Sequence, residues 1–140
     1  MREVSAGREA PQPTDPLQAL LGGLDLVPLG DGRFEGRSVE PTRPRMFGGE
    51  LLAQTLVAAS RTVRGRVAHA LHAHFLAPGD PAVAIEYSVR RVRDGRRFAL
   101  RQVSAAQRGR DILLATVSFA TATADPFAHQ QETMPDVEGP

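Results

Sequence analysis

The chain has 140 residues, a length that fits one domain, and 41% of its residues are hydrophobic, which is enough for a single core. It has no cysteine, which excludes disulfides, thiolate catalysis and cysteine-ligated metal. All 17 basic residues are arginine, and against 16 acids the net charge is +1, so no strong global field favours nucleic acid. No apolar run approaches membrane-spanning length and no apolar signal core is visible, so we expect a cytoplasmic location without a membrane partner.

The first third of the chain is predicted to contain little regular structure. Residues 1–16 are polar and carry three prolines, which predicts a flexible tail. Residues 17–24 predict a short apolar turn of helix. A strand pair at residues 25–29 and 33–37 is expected around a Gly-Asp-Gly turn, and the proline-containing residues 38–45 should form an extended loop.

A central helix is predicted over residues 47–63, FGGELLAQTLVAASRTV, because its apolar residues recur at helical spacing. Glu50, Gln54 and Arg61 are its only strongly polar side chains, so the helix has little solvent face. An arginine-glycine pair at residues 64–65 is expected to end it. We therefore expect this helix to be buried by the rest of the chain.

Two glycines, Gly48 and Gly49, open the central helix and leave its first N–H groups bare. Such an N-terminus, with its positive dipole end, suits an anion or a polarised carbonyl oxygen. Glycines at this place also let the chain pass close to a neighbouring strand. The spacing leaves both interpretations open.

After the helix the hydrophobic period changes to 2, which predicts antiparallel strands. Strands are expected at residues 69–76, 83–89 and 97–107, followed by a strand on which Leu113, Ala115, Val117 and Phe119 share one face. In the third of these strands the apolar phase slips after Leu100, which predicts a bulge near Gln102.

This order of elements predicts an α+β domain in which an antiparallel sheet wraps one long central helix. We expect a single domain over residues 17–124 and a C-terminal tail or linker over residues 125–140.

Four runs of sequence resemble a known family in combination and in order: FEGRSVEPTRPRMFGGELLAQTL, HALHAHFLAPGDP, RVRDGRRFALRQV and DPFAHQQETMP. They resemble the acyl-CoA thioesterase II family, over about residues 17–135. The resemblance implies a hotdog fold and hydrolysis of acyl-CoA thioesters to free acid and coenzyme A by water. It implies no metal and no organic cofactor.

Members of that family typically carry two hotdog units in tandem, and this sequence resembles the first. The family's catalytic Asp, Thr or Ser, and Gln belong to the second unit. A loose alignment of the two halves puts the carboxylate at Val57 and the glutamine near Phe119 or Ala120, none of which can act as a base. The resemblance therefore implies a partner unit, from a homodimer or another chain. The alternatives are a non-catalytic acyl-CoA-binding or scaffolding half and a piece of a longer enzyme.

Candidate catalytic residues are Glu50, His69 and His72. The Glu50 carboxylate in the first helical turn suits a base that activates water, although an acid there also complements the helix dipole. On a regular strand His72 and His74 would share one face and His69 the other, so the three would not converge on a metal. One of them suits a proton carrier; otherwise they are polar residues satisfied in the sheet or at a subunit contact.

The expected substrate-binding residues are Arg45, Phe47, Gly48 and Gly49, with acyl-CoA as the ligand. A group of arginines over residues 90–101 suits the phosphates of coenzyme A, although the sequence favours a solvated face. Nucleic-acid binding ranks behind both because aromatic residues make up only 5% of the chain.

Overall fold

In the computed structural model, the described residues are 15–122, 129, 131–133 and 135, so most of both predicted tails lies outside them. A short helix and a hairpin come first, a long helix follows, and four long strands complete the chain. The elements are α1 (Pro16–Gly23), β1 (Val27–Gly30), β2 (Arg33–Gly36), α2 (Gly48–Ser60), β3 (Val67–Phe75), β4 (Ile85–Asp94), β5 (Phe98–Gln107) and β6 (Arg110–Ala120).

The six strands form one antiparallel sheet in the order β1-β2-β4-β5-β6-β3, and α2 packs on one face of it. The predicted arrangement of a sheet around a single long helix is therefore confirmed. The alternation predicted for the last strand is confirmed as well, because Leu113, Ala115, Val117 and Phe119 are all buried on the helix side. Among the described residues, none of the helices has the length and apolar character needed to cross a membrane.

The helix α2 is shorter than predicted. It ends at Ser60, after which Thr62 and Val63 donate backbone hydrogen bonds to Ala59 and Ser60 in tighter turns. Its buried face carries polar as well as apolar residues: Glu50, Leu51, Gln54, Thr55, Ala58 and Ala59. Leu52 and Leu56 are only partly buried. The prediction of a buried helix is right, but two of its polar side chains point inward.

The bulge predicted near Gln102 is wrong. Every second residue of β5 from Ala99 to Gln107 is buried, without a break. The register shift lies across the hairpin instead, in β4 between Arg91 and Arg93. The prediction failed because the buried position between the two apolar phases is occupied by Arg101, which is only 1% exposed. A buried arginine looks like a solvent-facing residue in the sequence pattern.

The two edges of the sheet differ. The edge strand β1 has four residues, includes Pro28, and changes register between Pro28 and Gly30. The edge strand β3 has nine residues and pairs with β6 on one side. On its helix-facing side, Leu71 and Phe75 remain exposed, so this edge leaves an apolar strip uncovered.

Candidate functional site

Two aromatic rings lie beside the N-terminus of α2, and no side chain caps this helix end. Phe47 occupies the cap position in an extended conformation and offers no side-chain hydrogen bond. A Cβ atom on Gly49 would lie 2.6 Å from Cε1 of Phe47, and one on Gly48 would lie 3.3 Å from Cζ of Phe75. The glycines therefore permit a close approach, as one interpretation predicted, and the approaching groups are rings. The first N–H groups of the helix have no acceptor within it.

Both rings are largely exposed, Phe47 at 63% and Phe75 at 56%. A cavity lies on each side of this N-terminus, one of about 470 Å³ and one of about 360 Å³. Phe47 and Gly49 line the first cavity together with Glu50, and Arg45 and Gly48 line the second. The four residues that the sequence suggested for substrate binding are thus gathered around one helix end.

Glu50 is 6% exposed and holds the preceding loop against the helix. Its Oε2 accepts a hydrogen bond from Oγ of Ser38 at 2.9 Å, and its Oε1 accepts one from the backbone N–H of Val39 at 2.8 Å. These bonds engage both carboxylate oxygens in holding the loop, a role that the sequence analysis did not include.

Gln54 is a second inward-pointing polar residue that sequence reasoning missed. Its Nε2 donates to the carbonyls of Gly23 and Arg37, at 2.8 and 2.9 Å. Its Oε1 accepts a 2.7 Å hydrogen bond from the hydroxyl of Tyr87, whose pKa is raised far above its usual range by burial and next by the charge of Glu50. The available signal was its position one turn after Glu50, on the same face as Leu51. This network fixes α2 against the first hairpin.

The histidines lie on the opposite face of the sheet. His72 and His74 pair with Thr116 and Leu114, whereas Ala73 between them pairs with a buried residue of β6. Their rings are 4.7 Å apart. Because directly paired residues share a face, both histidines point away from α2.

The prediction that His69 points to the other face is wrong. The register of β3 shifts between Ala68 and Ala70, and this bulge turns His69 outward. Its Nε2 lies 2.9 Å from Oγ of Ser118, and its ring contacts Phe98 edge-on at 6.0 Å. The sheet therefore separates the candidate histidines from Glu50 and from the helix N-terminus. Within the part of the chain that the structure describes, no three metal-binding side chains form a cluster.

At the other end of α2, Arg101 ties the helix to the β4–β5 hairpin. Its Nε donates to Oγ1 of Thr62 at 2.8 Å, and Nη2 donates to Oδ1 of Asp94 at 2.6 Å. Nη1 donates to the carbonyls of Arg93 and Leu100, and Nη2 also donates to the carbonyl of Thr62. All five N–H groups of a guanidinium are thereby used.

Asp94 is the acid beside this group of arginines. The hydrogen bond from Arg101 lowers the pKa of Asp94, and the charges of Arg101, Arg91 and Arg66 lower it further. The helix C-terminus is thus surrounded by a positive field, opposite in character to the apolar surroundings of the N-terminus.

A profile of the acyl-CoA thioesterase N-terminal domain matches residues 37–120, which include α2 and the long strands. The chain belongs to the acyl-CoA thioesterase N-terminal domain family. The chain is 40% identical to acyl-coenzyme A thioesterase 8 of Mus musculus over 119 residues, which make up 84% of this chain and 37% of the relative.

Two solved structures are similar to this thioesterase domain. A TesB protein of Mycobacterium avium subsp. paratuberculosis has a TM-score of 0.78 and 34% identity, over 86% of this chain and 47% of that one. A protein of Alicyclobacillus acidocaldarius described as having a hot dog fold has a TM-score of 0.74 and 27% identity, over 87% and 46%. The hotdog fold is therefore confirmed. The chain spans less than half the length of these relatives, and the family model that it matches describes an N-terminal domain.

Proposed function

We propose that this chain is the first hotdog unit of an acyl-CoA thioesterase and hydrolyses acyl-CoA to free acid and coenzyme A when paired with a second unit. The observation that carries the proposal is the N-terminus of α2, where bare N–H donors lie between the exposed rings of Phe47 and Phe75 in a chain of this family. Donors suit the thioester carbonyl oxygen, and apolar walls suit the acyl chain.

In this mechanism the carbonyl oxygen accepts hydrogen bonds from the N–H groups of Gly48 and Gly49. Water adds to the carbonyl carbon, and the oxygen gains negative charge that the donors and the positive helix end stabilise. The C–S bond then breaks, coenzyme A leaves as the thiol, and the acid retains the oxygen from water. No metal or organic cofactor takes part in these steps.

The general base is the part of the mechanism that this unit does not readily supply. The Glu50 carboxylate is engaged by Ser38 and Val39. His69 and His72 lie across the sheet from the helix. We therefore assign the base to the second unit, as the family resemblance implies.

The second unit is proposed to pair along β3. This strand has an unpaired edge, beside which the apolar strip of Leu71 and Phe75 is exposed, and Leu52 and Leu56 of α2 are only partly buried. Pairing would satisfy the open backbone groups and bury the strip. We expect at least a dimer, joined edge to edge. Sedimentation that shows a clean monomer at tens of micromolar would contradict this expectation.

The alternative function is a non-catalytic acyl-CoA-binding or scaffolding half, and the engagement of Glu50 favours it for the isolated chain. A positioned base contributes roughly 10²–10⁴-fold in rate, so turnover separates the two functions. We expect the purified chain to bind acyl-CoA and hydrolyse it very slowly, with little change in Glu50→Gln. Added second hotdog unit should raise turnover. Robust turnover of the chain alone that disappears in Glu50→Gln would show a self-sufficient enzyme instead.

The cytoplasmic location and the absence of nucleic-acid and membrane partners stay predictions. Cell fractionation followed by immunodetection tests the location, and recovery in the membrane fraction would contradict it.

A further inference from the structure

The C-terminal end of α2 carries a cavity of about 410 Å³ that is lined mainly by charged side chains. Arg61, Arg64, Arg91 and Arg101 contribute four guanidinium groups to it, against the single carboxylate of Asp94. We call this the arginine cavity. Its volume is in the range of ligand pockets, about 300–1,000 Å³. The lowered pKa of Asp94 is a separate sign of the positive field here.

The arginines of this cavity divide into two that hold the fold and two that do not. Arg101 is saturated by its five hydrogen bonds, and Arg61 donates to the carbonyl of Leu26 and to Asp25. The side chains of Arg64 and Arg91 make no hydrogen bond or ion pair with any other described residue. The four arginines of the cavity carry more positive charge than is needed to balance the partial negative charge at the end of the helix, which is roughly half an elementary charge. Arg64 and Arg91 are therefore available to a ligand.

We infer that the arginine cavity binds the phosphates of the coenzyme A whose thioester lies at the helix N-terminus of a paired second copy of this chain. Guanidinium groups bind phosphate in a forked geometry, and their charge complements it. This inference rests on the proposed function, because that function supplies a ligand with phosphates.

The pairing along β3 gives the reason for assigning the phosphates to the neighbouring unit's substrate. Two copies of one strand that meet across a two-fold axis run antiparallel. Phe75, at one end of β3, contacts Gly48, and Val67, at the other end, follows Arg66. Pairing therefore brings the neighbour's Gly48 beside this unit's Val67.

The arginine cavity lies at the same end of the sheet as Val67, beside β4. Four strand spacings of about 4.8 Å separate the neighbour's β3 from β4, roughly 19 Å. Arg66 lies along this route, where Nη2 donates to the carbonyls of Gly95 and Arg96. The pantetheine arm of coenzyme A is a linker that can bridge such a gap. Within one unit, Gln54 blocks the route along one side of α2, because its side chain joins the helix to the carbonyls of Gly23 and Arg37.

The first test measures binding of coenzyme A, 3′-dephospho-coenzyme A and pantetheine to the full chain by calorimetry. In the double variant Arg64→Gln, Arg91→Gln we expect affinity for coenzyme A to fall about tenfold or more, because charge-assisted hydrogen bonds are lost. Affinity for pantetheine should not change. The matched control is Arg33→Gln, Arg37→Gln on the opposite side of the sheet, which removes the same charge and should leave coenzyme A binding intact.

An equal loss in the control, or no loss in the double variant, would overturn the inference while the wild-type chain still binds the thioester. Failure of the wild-type chain to bind either coenzyme A or a pantetheine thioester would reject the proposed function itself. Binding of a single-stranded oligonucleotide as tightly as coenzyme A, with the same loss in the double variant, would assign the cavity to nucleic acid.

The second test asks which unit the cavity serves, by mixing a Gly49→Val chain with the double variant. Each composite site combines the helix N-terminus of one copy with the arginine cavity of the other. A mixed dimer would therefore hold one site in which both of these are unaltered and one in which both are altered. Random exchange should restore wild-type affinity at about a quarter of the sites. The assignment would be overturned if no site in the mixture recovered wild-type affinity although sedimentation showed that dimers had formed. The helix N-terminus and the arginine cavity of one site would then belong to the same unit.

Discussion

The two ends of α2 are built in opposite ways. At the C-terminal end, Arg101 uses every donor it has to join the helix to the β4–β5 hairpin, and the surroundings are charged. At the N-terminal end, Gly48 and Gly49 carry no side chain, the cap residue makes no hydrogen bond, and two exposed rings stand beside the donors. One end fixes the helix in place, and the other leaves its donors free. A rigidly held helix can present those donors without reorganising when charge develops on a substrate.

The largest effect on stability should come from removing Arg101, which holds the C-terminal end of α2. In Arg101→Met the carbonyls of Arg93 and Leu100, the Thr62 groups and Asp94 lose their donor. Because Asp94 itself is about half exposed, the loss comes mainly from carbonyls left without a donor, and the free energy of unfolding should fall by about 1–3 kcal/mol. Urea denaturation measures it. The exposed Arg90, bonded to Gln102, is the matched control, and Arg90→Met should cost less than about 1 kcal/mol. Similar values for both variants would show that the Arg101 bonds do not fasten the helix.

A smaller effect, on acyl-CoA binding, should follow from placing a bulky side chain at the N-terminal end of α2. A valine at position 49 would meet the ring of Phe47, which is exposed and can swing aside, so the fold should survive. The branched side chain would then occupy the approach to the helix donors. We expect acyl-CoA binding to weaken about tenfold, or roughly 1.4 kcal/mol, measured by calorimetry.

The control for that experiment is Gly22→Val in α1, where an added Cβ meets nothing within 4 Å. It carries the same change in helix propensity without blocking the site. Unchanged affinity in a folded Gly49→Val chain would move the binding site away from this helix end.

The smallest effect concerns pH at the charged end. The pKa of Asp94 is lowered in the folded state, chiefly by the hydrogen bond from Arg101. Its carboxylate therefore contributes stability at pH values above its unfolded pKa, about 3.9, and that contribution is lost as the pH falls through the lowered folded pKa. The stability of Asp94→Asn should vary less with pH than that of the native chain between about pH 5 and pH 2.

The comparison variant for the pH experiment is Glu86→Gln, whose carboxylate is paired with Arg33 at 3.6 Å on the exposed surface. It should follow the native pH profile closely. Thermal unfolding as a function of pH measures both variants. An Asp94→Asn curve that runs parallel to the native one would show that the Arg101 bond does not couple folding to this proton.

The sequence predicted the sheet, the helix and their order, because hydrophobic period separates strands from helices wherever one face is apolar. It was right for β6, in which the predicted residues Leu113, Ala115, Val117 and Phe119 are buried at every second position. It failed for Gln54 and Arg101, because a pattern of polar and apolar residues equates polar with exposed. Their partners, such as Gly23 and Thr62, lie 31 and 39 residues away in the chain.

The candidate site was predicted in its place but not in its chemistry. The opening glycines located the helix N-terminus, while nothing in the local pattern showed that Glu50 is held by Ser38. For His69 the cause is geometric: one extra residue in β3 reverses the side chain's direction, and strand period alone does not reveal such an insertion.

The unequal edges of the sheet limit how many copies can join. The strand β1 is short, includes Pro28 and loses its register within four residues, features that discourage another strand from adding there. The strand β3 offers the only long unpaired edge among the described strands. A sheet that can pair along only one edge does not grow into a filament. One copy adds, and that pairing occupies the available edge of both copies. The two unequal edge strands therefore limit the assembly to two copies.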